Sequence, residues 1–190
     1  MTYVMRASTL SAKAVIKTKD TVIKLNRSYN FETGTVSHDY QTMESRLGAD
    51  SAKVQGGGKC AAMFTKSLDI YDNMGIKKVS VHANIDVGGF AWARYGFVPD
   101  QPSWNGIKTH VRNRMVRLEP GVQSAVKKIL SSSDPKAIRQ LAAIKTKHEG
   151  QPIGSYLLKN SDWYGTIDME DNEAYSLTRE YSGKRREPKK

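Results

Sequence analysis

The clearest signal along the chain is a change of hydrophobic period. In Lys78–Asn84, KVSVHAN, apolar residues fall at every second position, Val79, Val81 and Ala83, which predicts a strand with one buried face. Just before it, Lys59–Asn73 carries Ala62, Met63, Leu68, Ile70 and Tyr71, followed by Met74, mostly at a repeat of about 3.6 residues, which predicts a helix. Gly75 is a stop signal for that helix. Upstream, Ala14–Leu25 is β-branched and predicts one or two edge strands. Val36–Met43 predicts another strand, entered through a turn at Glu32-Thr33-Gly34. Ser45–Gly58 has neither period and reads as loop. The order from Val36 to Asn84 is strand, glycine loop, helix, strand.

Further on, Gly89–Tyr95 predicts a short helix and Phe97-Val98 the start of a strand. Past Pro102 the pattern turns helical. Ile107, Val111, Met115 and Leu118 share one face of a first helix, and Val122–Leu130 forms a second. Asp134-Pro135 is an N-cap followed by a first-turn proline and opens a third, through about Lys147. Ser161–Asp168 predicts a short strand, and Asp171 caps a last helix through about Glu180. The pattern as a whole is α/β, with a helical C-terminal extension.

Composition narrows the classes. At 190 residues the chain holds one good core with room for a small appended unit. No apolar run approaches a membrane span, and MTYVMRASTLSAK lacks the apolar centre of a secretory signal. Cys60 is the single cysteine, so no internal disulfide forms, which fits a reducing, cytoplasmic compartment. His38, His82, His110 and His148 have no metal-ligand spacing, so no metal is expected. The net charge of +11 favours nucleic acid, acidic cofactors or acidic protein surfaces as partners. Arg112, Arg114, Arg117, Lys127 and Lys128 make the C-terminal half basic, and the tail 183–190, GKRREPKK, is expected to be disordered.

The candidate chemistry lies in VQGGGKCAA, residues 54–62. The first turn of a helix offers unpaired N–H groups and a positive dipole end. Glycines leading into it let backbone approach a phosphate, and Lys59 adds a cation. A plain flexible joint is the competing reading. No Gly-Lys-Ser/Thr follows, so this is not a Walker loop, and the glycine pattern is not that of a dinucleotide fold. Cys60 sits where a helix end lowers a thiol pKa, yet it also suits a small residue packed beside the glycines.

The chain resembles the GNAT superfamily of N-acetyltransferases. That family's coenzyme A loop reads Arg/Gln-x-x-Gly-x-Gly/Ala at the start of a helix. Gln55, Gly58 and Cys60 take those places, with cysteine replacing the last small residue. A helix, a strand and a second helix closing on a Gly-Phe pair follow, here GGFAWARYGF, residues 88–97. That run is similar to GNAT-like proteins of phages and prophages. The likeness covers roughly residues 35–98. It implies a mixed central sheet flanked by helices, and acetyl-coenzyme A as cosubstrate. Gln55, Gly56, Gly57, Gly58, Lys59, Cys60, Ala61, Asn84 and Trp92 would bind it. A fourth-strand amide would stabilise the oxyanion, and the acceptor amine, on a protein or a small molecule, would attack directly. Glu44, Asp39 and His82 are the candidate bases. Trp92 stands where the family has its tyrosine acid, and Tyr95 is the nearby substitute.

These readings divide the chain into an acyl-coenzyme A-binding domain at 1–100, a helical extension at 101–182 and the tail. They imply an acyltransferase of the host-cell cytoplasm. The alternative is a catalytically inactive GNAT-like phage protein, structural or host-interacting, whose basic surface suits contact with nucleic acid; the sequence does not decide whether it enters the virion.

Overall fold

The computed structural model describes residues 2–6, 8–46, 59–84 and 88–183. Gln55, Gly56, Gly57 and Gly58, the side chain of Lys59 and the tail beyond Gly183 lie outside the described residues. The chain forms two compact units, residues 1–81 with 168–190, and residues 82–167. The sequence boundary near residue 100 falls inside the second unit. The architecture is α/β with a mixed sheet.

The first unit opens with an antiparallel meander of β1 (Thr2–Arg6), β2 (Thr9–Lys17), β3 (Thr21–Asn30) and β4 (Thr35–Ser45). The expected edge segment is thus two strands, and the edge itself is β1, which no periodicity announced. The β3–β4 turn forms where expected, because the Asn30 side chain accepts from the Thr33 amide at 3.0 Å. Helix α1 (Lys59–Asn73) has the expected bounds. Its buried stripe is Ala61, Phe64, Leu68 and Tyr71, whereas Ile70 and Met74 of the expected face are exposed. The shift follows from strict spacing, since Phe64, Leu68 and Tyr71 are three or four apart and Ile70 is out of step. Gly75 ends the helix at φ 69°, with the Ile76 amide returning to Tyr71 O at 2.9 Å. Strand β5 (Lys78–Ala83) buries Val79, Val81 and Ala83 as its alternation requires, and pairs parallel with β4. The last helix of the chain, α7 (Asn172–Gly183), packs on α1, with Ala174 buried.

The second unit holds helices α2 (Gly88–Arg94), α3 (Gln101–Met115), α4 (Pro120–Leu130), α5 (Ala137–Ala143) and α6 (Ile153–Leu158). Its strands are β6 (Val98–Pro99), antiparallel to β9 (Trp163–Asp168), and a small hairpin of β7 (Lys147–His148) and β8 (Gln151–Pro152). The core gathers Trp104, Ile107, Val111, Ile138, Leu141, Leu157 and Trp163. Asp100 caps α3 by accepting from the Ser103 amide at 2.8 Å. Asp134 also accepts from the Lys136 amide, at 2.8 Å, but α5 stops at Ala143 rather than near Lys147. There the chain turns into the hairpin, whose tip holds Glu149 and Gly150 at positive φ. Helix α6 was not foreseen. Gly154 lets it approach α5 so closely that a Cβ would lie 2.6 Å from Leu141 O.

Candidate functional site

In the first unit, the pairing of β4 with β5 covers four residue pairs, from Thr35↔Lys78 to His38↔Val81. Beyond His38, β4 continues to Ser45 against β3. The β3–β4 register shifts between Asn26 and Ser28, so β4 carries an extra residue there, a bulge that disrupts the ladder locally. The first turn of α1 contains no acidic residue, so no carboxylate of that turn offsets the positive end of its dipole. Ala61 is buried, and Cys60 is half-buried with its Sγ 3.6 Å from Met43 Sδ.

The proposed carboxylate bases of β4 are both engaged at the surface. Glu44 pairs with Lys24 at 2.9 Å, and Asp39 accepts from Ser28 Oγ at 2.6 Å. Behind them lies a buried polar group that the sequence did not flag. Arg27, 6% exposed, donates to the carbonyls of Asn26 and Tyr40 at 3.0 Å and to the Gln41 side chain. His38 Nε2 meets Tyr71 Oη at 2.8 Å. Burial, and then the Arg27 cation, holds the His38 imidazole well below its usual pKa. Burial chiefly, and then Tyr29, pushes the Tyr71 phenol up.

In the second unit, α2 ends on the expected Gly-Phe pair. Gly96 takes φ 91°, the Phe97 amide returns to Trp92 O at 3.1 Å, and Arg139 donates twice to Gly96 O, at 2.7 and 3.1 Å. Trp92 is half-buried with its ring edge-on to Phe97 at 5.1 Å. Tyr95 packs beside Trp92 and is buried. Of the basic residues noted above, Arg114 lies over the Tyr156 ring at 4.7 Å, while Arg112, Arg117, Lys127 and Lys128 are exposed.

His82 is the one sequence-predicted base that the fold surrounds with partners. Its Nε2 lies 2.6 Å from Asp162 Oδ1, and its Nδ1 lies 3.3 Å from Asn84 Nδ2. The Tyr164 ring stacks on the imidazole at 4.1 Å, 11° from parallel. His82 and Asn84 are thus brought together, with two residues that sequence reasoning missed. Asp162, just before β9, and Tyr164 within it are exposed on either side of the buried Trp163, but nothing local ties them to His82. Among the described residues, no group of three His, Cys, Asp or Glu side chains is placed to hold a metal ion. None of the helices there is long and apolar enough to cross a membrane.

No protein-family model matches the chain, and neither a curated protein nor a solved structure matches it significantly.

Proposed function

We propose that the chain is an acyl-coenzyme A-dependent acyltransferase of GNAT-like fold, moving an acetyl group from acetyl-coenzyme A to an amine. The observation that carries this reading is the parallel β4–β5 pair that ends after four residue pairs beside a bulge, followed in the chain by a glycine run that opens α1. Backbone groups of β4 released from one ladder suit an extended, amide-bearing arm such as pantetheine. The start of α1, whose first turn holds no acidic residue, presents the positive end of a helix dipole, which suits the pyrophosphate. In the reaction the amine nitrogen attacks the thioester carbonyl carbon. The C–N bond forms, the C–S bond breaks, and the thiolate leaves with the electron pair. A β4 amide stabilises the oxyanion in between.

Calorimetric titration of acetyl-coenzyme A into the protein tests this. Micromolar binding is expected, lost in Gly58→Asp because a carboxylate at the loop repels pyrophosphate. Unchanged affinity in that variant overturns the cradle, and no heat at high protein concentration leaves VQGGGKC as a joint. A second reading, a catalytically silent GNAT-like phage protein, draws on Trp92 at the tyrosine position and on the burial of Tyr95. It predicts coenzyme A binding without turnover, or nucleic-acid binding that falls steeply with salt.

A further inference from the structure

Buried polar nitrogens are normally met by a partner, because leaving them unmet is costly. The second unit gathers three exceptions around one tyrosine. His110 and Arg114 stand one turn apart on α3, and His148 lies on β7. His110 Nε2, Arg114 Nε and His148 Nε2 are all buried, and none has a hydrogen-bond partner among the described residues. The Tyr156 ring of α6 links them. The Arg114 guanidinium lies over that ring at 4.7 Å, and the His148 ring meets it edge-on at 4.8 Å. The phenol donates to Arg114 O at 3.3 Å, which ties the ring to the end of α3.

The surroundings are cationic. Helices α2 to α6 contain no Asp or Glu. Arg117, exposed, follows seven residues after His110 on the same flank of α3, and Lys147, exposed, precedes His148. Glu149 is the carboxylate nearest in the chain. Its Oε1 lies 3.8 Å from His148 Nε2, and its side chain is 71% exposed. An exposed pair of that length holds its partner weakly. The His148 side chain is itself 20% exposed, and His110 and Arg114 are half-buried, so a small anion can reach all three.

Donors and acceptors select among anions. His110 bonds the main chain at Leu157 and Lys159, and both bonds favour the charged ring, as carbonyl acceptors do. Because Nε2 has no partner, Nδ1–H makes them. Burial, and then Arg114, holds the imidazole below its usual pKa. The neutral ring therefore keeps a lone pair on Nε2, while Arg114 Nε can only donate. A carboxylate beside His148 favours hydrogen on its Nε2. The matching ligand brings acceptor oxygens and a hydroxyl hydrogen on one anion. Hydrogenphosphate and dihydrogenphosphate do so. Sulfate and phosphodiesters carry no such hydrogen, and phosphate monoesters lose theirs above about pH 6.

We propose that His110, Arg114 and His148 form a binding site for inorganic phosphate in its hydroxyl-bearing forms. Arg114 Nε donates to one phosphate oxygen, His148 Nε2 donates to another, and His110 Nε2 accepts from the P–OH group. Tyr156 holds the guanidinium and the His148 ring in place. The site lies wholly in the second unit and stands apart from the acyl-transfer reading.

The test titrates sodium phosphate into the full chain by calorimetry at pH 7.5 and fixed ionic strength, with sodium sulfate as the comparison. Phosphate is expected to bind about tenfold tighter than sulfate or better. Arg114→Gln should weaken phosphate roughly tenfold or more, since it removes a charge-assisted donor. Glu149→Gln, which takes a competing carboxylate off His148, should tighten it about twofold. Nitrogen NMR should show the Nε2 signals of His110 and His148 moving as phosphate is added. Phenyl phosphate and an oligothymidylate without terminal phosphates, both lacking the hydroxyl hydrogen at this pH, should fail to displace phosphate. Sulfate bound as tightly, or displacement by either competitor, means that the cluster reads charge alone and overturns the assignment. Absence of phosphate binding, or full affinity in Arg114→Gln, overturns it as well. If Arg114→Gln does not fold, the other two readouts decide: ring signals that stay still, or Glu149→Gln with unchanged affinity, remove the site.

Discussion

His38 is a histidine whose neutral form the fold requires. It is 4% exposed, bonded to Tyr71 and close enough to Arg27 for a second positive charge to be unwelcome. Its pKa in the folded chain lies below that of the unfolded chain, about 6.5. Between those two values the unfolded state binds more protons, so stability rises with pH there. The contribution is complete above about pH 6.5 and is lost as the pH falls through the folded value. His110, lowered by burial and then by Arg114, acts in the same direction. Urea midpoints measured at pH 7, 6 and 5 should therefore fall stepwise. In His38→Gln, which keeps a polar group without a titration, the fall should be smaller. A variant with the full wild-type slope would remove His38 as its source. None of this was legible in SHDYQ, because a histidine's burial depends on what α1 lays over it.

Local chemistry wrote the elements well where a side chain closes its own backbone. Asp100 is such a case, and Asp100→Ala should cost about 1 kcal/mol of stability by removing the α3 cap. Thermal melts of the two proteins decide it, and an unchanged midpoint would show the cap to be dispensable. The same local chemistry made α1, Gly75 and β5 readable. It failed at α5 and α6. There Asp134-Pro135 marks the opening turn, but the end at Ala143 is set by the hairpin that follows, a tertiary matter. It also failed at the site. Asn84 and His82 were visible on one strand end, whereas Asp162 and Tyr164 arrive from a segment far along the chain with no periodic trace of their partner. The glycine loop was legible only as a motif, and its residues 55–58 lie outside those described.

At the scale of the molecule, the two units differ in how the chain makes them. The second is one continuous stretch, while the first closes with a segment that returns after residue 168. Hydrophobic period has no memory over such distances, so a boundary near residue 100, drawn from the family likeness and the helical pattern that follows it, could not see the return. Net charge, by contrast, was readable at once. At +11, acetyl-coenzyme A should bind less tightly as salt rises, since its phosphates meet a screened field. Affinity constant from low to high salt would mean that charge plays no part in capture.

Three glycines of the second unit, Gly89, Gly154 and Gly165, share one property: a Cβ on each would lie 2.6–2.7 Å from a backbone carbonyl oxygen. Gly89→Ala or Gly154→Ala should cost about 1–3 kcal/mol, read from denaturant midpoints, because backbone cannot step aside as a side chain can. The same constraint has a historical side. Core leucines and valines can be exchanged for one another over generations, and surface lysines can drift freely, until two descendants of one ancestor share little text. Positions where main chain touches main chain have no such latitude. Distant kin of this chain should therefore be traceable by where their glycines stand, long after the letters between them have been rewritten.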